Sequence, residues 1–156
     1  MRKTYSKTDV DKMLVEERKA MRSKAAQSAF LRRTLSIYNG MKARQAEERG
    51  VKDLSFTLEE FRAWADTAIR QGCYYCGSKL TVKKFAPDHA QSIASGGSFD
   101  LPNLRGSCQQ CNWRKGKFHA TTFKSLQSWA VINCDDAERA DLWRRLSLGG
   151  KWAGRL

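Results

Sequence analysis

Residues 73–117 read CYYCGSKLTVKKFAPDHAQSIASGGSFDLPNLRGSCQQCNWRKGK. Two Cys-x-x-Cys pairs, Cys73/Cys76 and Cys108/Cys111, stand 31 residues apart. Four thiolates are soft ligands that suit a tetrahedral zinc ion, and four protein ligands leave no coordination position open. The ion is therefore expected to be structural, tying together the two ends of residues 77–107. Its binding then becomes folding free energy. The gap is longer than the roughly 15 to 20 residues between the knuckles of a common zinc ribbon. Something has been inserted, and it contains Asp88-His89.

The insert reads as a hairpin, with Lys83–His89 as one strand and a return through Leu101-Pro102-Asn103-Leu104. Residues 107–118 read as a short helix packed across it. That arrangement gathers Asp88, His89 and Asn112 into one pocket. Neighbours on a strand point to opposite faces, so Asp88 and His89 both reach the pocket only where the strand ends or bulges. Pro87 fits such irregularity because it cannot donate to a ladder. An Asp carboxylate and an Asn carbonyl are hard oxygen ligands that suit Mg²⁺ or Mn²⁺. A neutral histidine beside them can act as a general base. Lys115, in the turn after Asn112, is placed to hold a phosphate.

The flanks of this centre are cationic. The chain of 156 residues has a formal net charge of +13. Residues 1–50 hold 13 basic and 6 acidic side chains, residues 51–100 hold 6 of each, and residues 101–156 hold 10 and 4. A neutral middle between basic arms fits a polyanion, since neutralising phosphates releases counterions. No segment approaches 18 apolar residues, so no membrane span is expected. Met1-Arg2-Lys3 opens as a secretion signal would, but polar residues follow where an apolar core belongs. The reading is an intracellular protein whose five cysteines are not disulfides.

Residues 8–39 read as one long helix or two in series, with Thr8 as N-cap, Asp9 and Asp11 in the first turn, and Val10, Met13, Leu14, Met21, Phe30, Leu31 and Leu35 as a thin apolar stripe. Lys19, Arg22, Lys24, Arg32 and Arg33 make it either a solvated face or an arm that tracks DNA. Gly40 and Gly50 are expected to bracket a separate short helix holding Lys42 and Arg44. In SFTLEEFRAWADTAIRQG (residues 55–72), Thr57 and Glu60 form a capping box, Phe56 and Phe61 a staple, and Phe61, Trp64, Ala65, Ala68 and Ile69 one apolar face ended by Gly72. Further on, Thr122 is the expected cap of a helix that buries Phe123, Leu126, Trp129 and Ala130. Asp135 or Asp136 is expected to cap a last helix carrying Leu142, Trp143 and Leu146 and stopped by Gly149-Gly150. Trp113 reads as core, His119 as a surface histidine, and Cys134 as a small buried hydrophobe.

Cys-x-x-Cys, Asp-His, Gly-Gly, Asn-Leu and Cys-x-x-Cys-Asn-x-x-Lys-Gly together resemble the HNH nuclease family, with its ββα-metal fold and zinc-stapled core. The basic helices more faintly resemble free-standing phage-type members, including homing endonucleases. The resemblance implies an α+β fold, with helical regions at 1–72 and 119–156 around a nuclease core at 73–118. It implies Asp88 and Asn112 as ligands of the catalytic ion, His89 as general base, and Asn103 as brace of the histidine-bearing loop. Many members carry a β-branched residue and then a proline after the histidine. Here Ala90-Gln91-Ser92 follows, which puts the loop's rigidity in question rather than its chemistry.

The expected function is a DNA endonuclease with structural Zn²⁺ and catalytic Mg²⁺ or Mn²⁺, acting as monomer or homodimer, with Arg105, Arg114, Lys115 and Lys117 as candidate phosphate contacts. A zinc-bound module that only binds nucleic acid would explain the cysteines and the charge but leave Asp88, His89, Asn103 and Asn112 without a task. A ribonuclease on the same centre remains open.

Overall fold

The computed structural model describes residues 7–152, and its elements run α1 (Lys7–Arg49), α2 (Leu58–Gln71), β1 (Phe85–His89), β2 (Leu104–Cys108), α3 (Gln109–Lys115), α4 (Ala120–Asn133) and α5 (Asp136–Trp152). Among the described residues, helices surround one antiparallel two-stranded sheet, an α+β arrangement. Among the described residues no helix is long and apolar enough to cross a membrane.

α1 is a single helix of 43 residues, about 65 Å long at 1.5 Å per residue. It passes straight through Gly40, which costs a helix only about 1 kcal/mol relative to alanine; the expected break there does not exist. The helix ends at Gly50, where φ is +68°. Because α1 begins at Lys7, Thr8 lies inside it. The side-chain roles expected of Thr8, Asp9, Val10, Asp11, Met13 and Leu14 lie outside the described residues, as does Met1-Arg2-Lys3. From Val15 to Gln27 every residue is exposed, so this stretch projects from the body. The inward face differs from the expected stripe: Leu31 and Leu35 are exposed, while Thr34 and Met41 are buried and Phe30, Ile37 and Tyr38 partly so. Thr34 tolerates burial because its hydroxyl donates to the Phe30 carbonyl at 2.8 Å.

α2 forms as its sequence dictates. Thr57 and Glu60 make the reciprocal capping box, and Gly72 ends the helix with φ +87°. Its Phe61, Ala65 and Ala68 are buried. Phe56 stacks on Phe61, Phe61 on Trp64, and Trp64 tilts against Phe85 of β1, with centroids 5.6–6.2 Å apart. Each such ring removes enough apolar surface from water to contribute about 2–3 kcal/mol. β2 lies so close to α2 that a Cβ at Gly106 would sit 2.7 Å from the Ala68 Cβ.

The hairpin pairs Phe85 with Cys108 at one end and His89 with Leu104 at the other. Both strands start later than expected: residues 82–84 form a turn, and Leu101–Asn103 is a short 3₁₀ turn. α4 is capped by His119, whose side chain accepts from the Thr121 N–H. That corrects the expectation of Thr122 as cap and gives His119 a structural task. The buried face of α4 is Ala120, Phe123, Gln127 and Ala130, with Trp129 turned outward. Trp113 is likewise 72% exposed rather than core, and Cys134 is half-buried. Asp135 does cap α5, exchanging bonds of 2.8 and 2.9 Å with Glu138. The helix does not stop at Gly149-Gly150 but runs on to Trp152. Trp143 packs on Phe123, centroids 5.5 Å apart.

Candidate active site and metal centre

β1 ends at His89, and there two neighbours that a continuing strand would send to opposite faces both line one cavity of about 430 Å³. α3, crossing the hairpin, adds Asn112, and Lys117 follows from the turn after it. The opposite wall is α1, through Arg33, Ile37, Gly40, Met41 and Arg44.

His89 sits edge-on to Phe99, with centroids 5.3 Å apart. Its Nε2 is buried and has no hydrogen-bond partner among the described residues. Burial, then the positive charges of Arg44 and Lys115, push its pKa down to about 4 against a weaker pull from Glu48. At neutral pH the ring is therefore uncharged, and in the tautomer protonated at Nδ1 it offers a lone pair at Nε2.

Asp88 is buried, and its Oδ2 accepts a hydrogen bond from the Tyr75 hydroxyl and lies 3.5 Å from Lys115 Nζ. Burial holds its pKa above the usual carboxylate value, with the Tyr75 and Lys115 contacts opposing. Burial and the charge of Asp88 push the Tyr75 phenol up, so it remains a donor. Lys115 has no exposed surface; its Nζ also donates to the Phe118 carbonyl at 2.9 Å. The expectation that Lys115 holds a substrate phosphate is thus corrected. Lys115 lies one helical turn after the buried Cys111 and shares the inward face of α3, where its ammonium meets Asp88.

Asn103 bridges the loop after β1. Its Oδ1 accepts from Gln91 N at 2.9 Å, its Nδ2 donates to the carbonyls of Gln91 and Ser98 at 3.0 and 2.7 Å, and its own carbonyl accepts from Ala90 N. Asn112 Nδ2 donates to the Pro87 carbonyl at 3.4 Å, leaving its Oδ1 for another partner. Of Arg105, Arg114, Lys115 and Lys117, the candidate phosphate contacts, Lys117 alone lines the His89 cavity. Arg105 lies over the Tyr74 ring and lines a different cavity with Lys124, and Arg114 lies over Trp143.

At the other end of the hairpin, the Sγ atoms of Cys73, Cys76, Cys108 and Cys111 lie within 4.8 Å of one another. A tetrahedral ion with Zn–S bonds of about 2.3 Å needs sulfurs roughly 3.8 Å apart, so the cluster is of the right size. The Cys108 N–H points at Cys73 Sγ at 3.3 Å and the Cys111 N–H at Cys108 Sγ at 3.4 Å. A hydrogen bond from Cys111 drives Cys73 down to about 4, while Cys111 is pushed up by the same bond and by burial. Cys108 is raised too, chiefly by burial. The cluster favours a thiolate at Cys73 and resists one at Cys108 or Cys111, a resistance that a dication would relieve. Gln127 of α4 reaches Cys111 Sγ at 3.8 Å.

Three features of this site escape a reading of sequence alone. Tyr75 is legible only as the spacer between two cysteines. Gln127 is legible only as a polar residue on a helix. Arg33, Ile37, Gly40 and Arg44 do repeat at helical spacing, which marks a face but not what it covers.

Residues 73–126 match a family model described as HNH endonuclease, about a third of the chain, starting at the first cysteine and reaching into α4. No curated protein matches the chain. The match points to nuclease chemistry on a nucleic-acid substrate.

Proposed function

We propose that this protein is a DNA endonuclease that depends on a divalent ion, with His89 as its general base. The observation that carries the reading is the His89 nitrogen: buried, uncharged at neutral pH and without a partner among the described residues, in a ring that lines a cavity with Asp88 and Asn112. Unpartnered buried polar atoms are rare and call for a reason. A water molecule awaiting deprotonation supplies one. His89 takes a proton from that water as its oxygen bonds to phosphorus, and the bond from phosphorus to the 3′ oxygen breaks in line.

Asp88 and Asn112 fit a Mg²⁺-type ion. Both offer hard oxygens on the same cavity, and a carboxylate held above its usual pKa by burial gains from a cation. Since Tyr75 and Lys115 occupy Oδ2, Asp88 would offer Oδ1. Bound there, the ion would supply Lewis-acid stabilisation of the developing phosphorane charge and the departing oxygen. The cysteine cluster fits Zn²⁺ in a closed, structural role. Asn103 fixes the loop that follows His89, and Lys117 and the basic arms draw in the polyanion.

The test is supercoiled plasmid incubated with zinc-loaded protein, with and without Mg²⁺, beside His89→Ala checked for folding by circular dichroism. With one His89 cavity per chain, the expected first product is nicked circle, formed only with Mg²⁺. His89→Ala is expected to be slower by at least about 100-fold. If plasmid survives and only RNA is cut, the substrate assignment is wrong. If both proteins bind DNA alike and cut nothing, the chain is a zinc-stapled binding module.

A further inference from the structure

We propose that Arg44 of α1 binds the scissile phosphate, so that the catalytic cleft has a second wall lying outside the matched residues. The proposal rests on the nuclease reading above and names the group that holds the substrate there.

Three arginines of α1 face the hairpin, and two are already engaged. Arg33 Nη2 donates to the Phe85 carbonyl at 3.3 Å, and Arg49 Nη2 donates to the Gly97 carbonyl at 3.1 Å. These two clamp the helix onto the hairpin from either side of the cavity. Arg44 lies between them, on the cavity itself. Its Nε donates to Glu48 at 2.7 Å, one turn on, which fixes the direction of the guanidinium. Its two terminal nitrogens make no hydrogen bond or ion pair among the described residues. A planar guanidinium, oriented from behind and with its fork unused, matches two oxygens of a phosphate.

The helix also leaves room for that phosphate. Gly40, one turn before Arg44, lines the same cavity, and a Cβ built there would meet nothing within 4 Å. A nucleic-acid backbone entering between α1 and the hairpin would pass over Gly40 and meet Arg44 on one side and Lys117 on the other. Arg44 and His89 line the same cavity, so an anion held by Arg44 would share it with the water that His89 activates.

The experiment compares wild type, Arg44→Ala, Arg44→Lys and, as a surface control, Arg70→Ala. Single-turnover plasmid cleavage is measured with Mg²⁺, and affinity for a short DNA duplex with Ca²⁺ by fluorescence anisotropy across a salt series. Arg44→Ala is expected to cleave about 100-fold more slowly, to bind duplex with a salt slope smaller by about one, and to regain activity with added guanidinium. Arg44→Lys is expected to fall between the two, and Arg70→Ala to match wild type. Cleavage by Arg44→Ala at the wild-type rate overturns the proposal, and so does a slow variant that guanidinium does not rescue. If wild type itself cleaves nothing, the nuclease reading fails on its own account, and Arg44 is judged by binding: an unchanged salt slope overturns it, a reduced one upholds a phosphate contact.

Discussion

The two ends of one short hairpin have opposite chemical characters. Where Phe85 pairs with Cys108, four sulfurs face one another, two backbone N–H groups point at them, and Gln127 closes the far side. Four ladder positions on, about 13 Å at strand rise, His89 lines an open cavity and keeps a buried nitrogen with no partner among the described residues. Reactive groups at the first end satisfy each other and support the fold. At the second end one group is kept unsatisfied, and the fold bears that cost. Tyr75 joins the two ends, because it sits within the first cysteine pair and donates to Asp88. The closed end thus holds the open end in shape.

The strongest way to break this contrast is to open the closed end. Removing zinc with a chelator, or Cys111→Ser, is expected to unfold the hairpin and abolish cleavage. Structural zinc contributes about 10–16 kcal/mol in small domains, as much as the whole stability of most proteins. Thermal unfolding followed by circular dichroism, alongside zinc content, measures it. A zinc-free chain that melts at the same temperature would show that the hairpin stands without the ion.

A smaller effect probes the join. Lys115 and Asp88 are almost fully withdrawn from solvent, 0% and 8% exposed at their side chains. Removing one partner of such a pair strands a buried charge, at a cost of about 3–5 kcal/mol. Lys115→Met is expected to lose that much in urea unfolding, and Lys115→Met with Asp88→Asn to lose distinctly less, because no charge is then stranded. Equal losses in the two variants would mean that packing of the lysine stem, rather than the ion pair, holds the site.

Lys115 also marks where the sequence stopped being informative. The cysteine spacing, the hairpin between the pairs, the capping box of α2 and the convergence of Asp88, His89 and Asn112 all follow from local rules: ligand spacing, side-chain alternation and cap chemistry. Lys115 stands one helical turn after Cys111 and so shares the face that α3 buries, but a lysine is so seldom fully buried that its residue type assigns it to the surface. Gly40 misled for a related reason. Helix-breaking tendency is a local cost of about 1 kcal/mol, and the packing of Phe30, Thr34, Ile37 and Met41 along the same helix outweighs it. His119 as a cap lies outside the usual Ser, Thr, Asp and Asn set. α1 as a wall of the cavity is a long-range fact, since 45 residues separate Arg44 from His89.

The smallest effect tests the open end most directly. The pKa of His89 lies near 4 when folded, against an ordinary 6.5. Between those values the unfolded chain takes up a proton that the folded chain refuses, so stability falls as pH falls. Linkage puts the loss from pH 7 to pH 5 at about 1–2 kcal/mol, allowing for partial solvent screening of the ring. Asp88 works in the opposite sense, because its raised pKa makes the folded state gain a proton as pH falls. The useful quantity is therefore a difference between wild type and His89→Gln, both zinc-loaded and without added divalent ion, in urea unfolding at pH 7, 6 and 5. Asp88 and the cysteines are common to both proteins, so the wild type is expected to lose about 1–2 kcal/mol more than the variant over that range. Parallel curves would mean that the ring already finds a partner or solvent in the folded state. The second end of the hairpin would then be as satisfied as the first, and the ground for assigning His89 as the base would be gone.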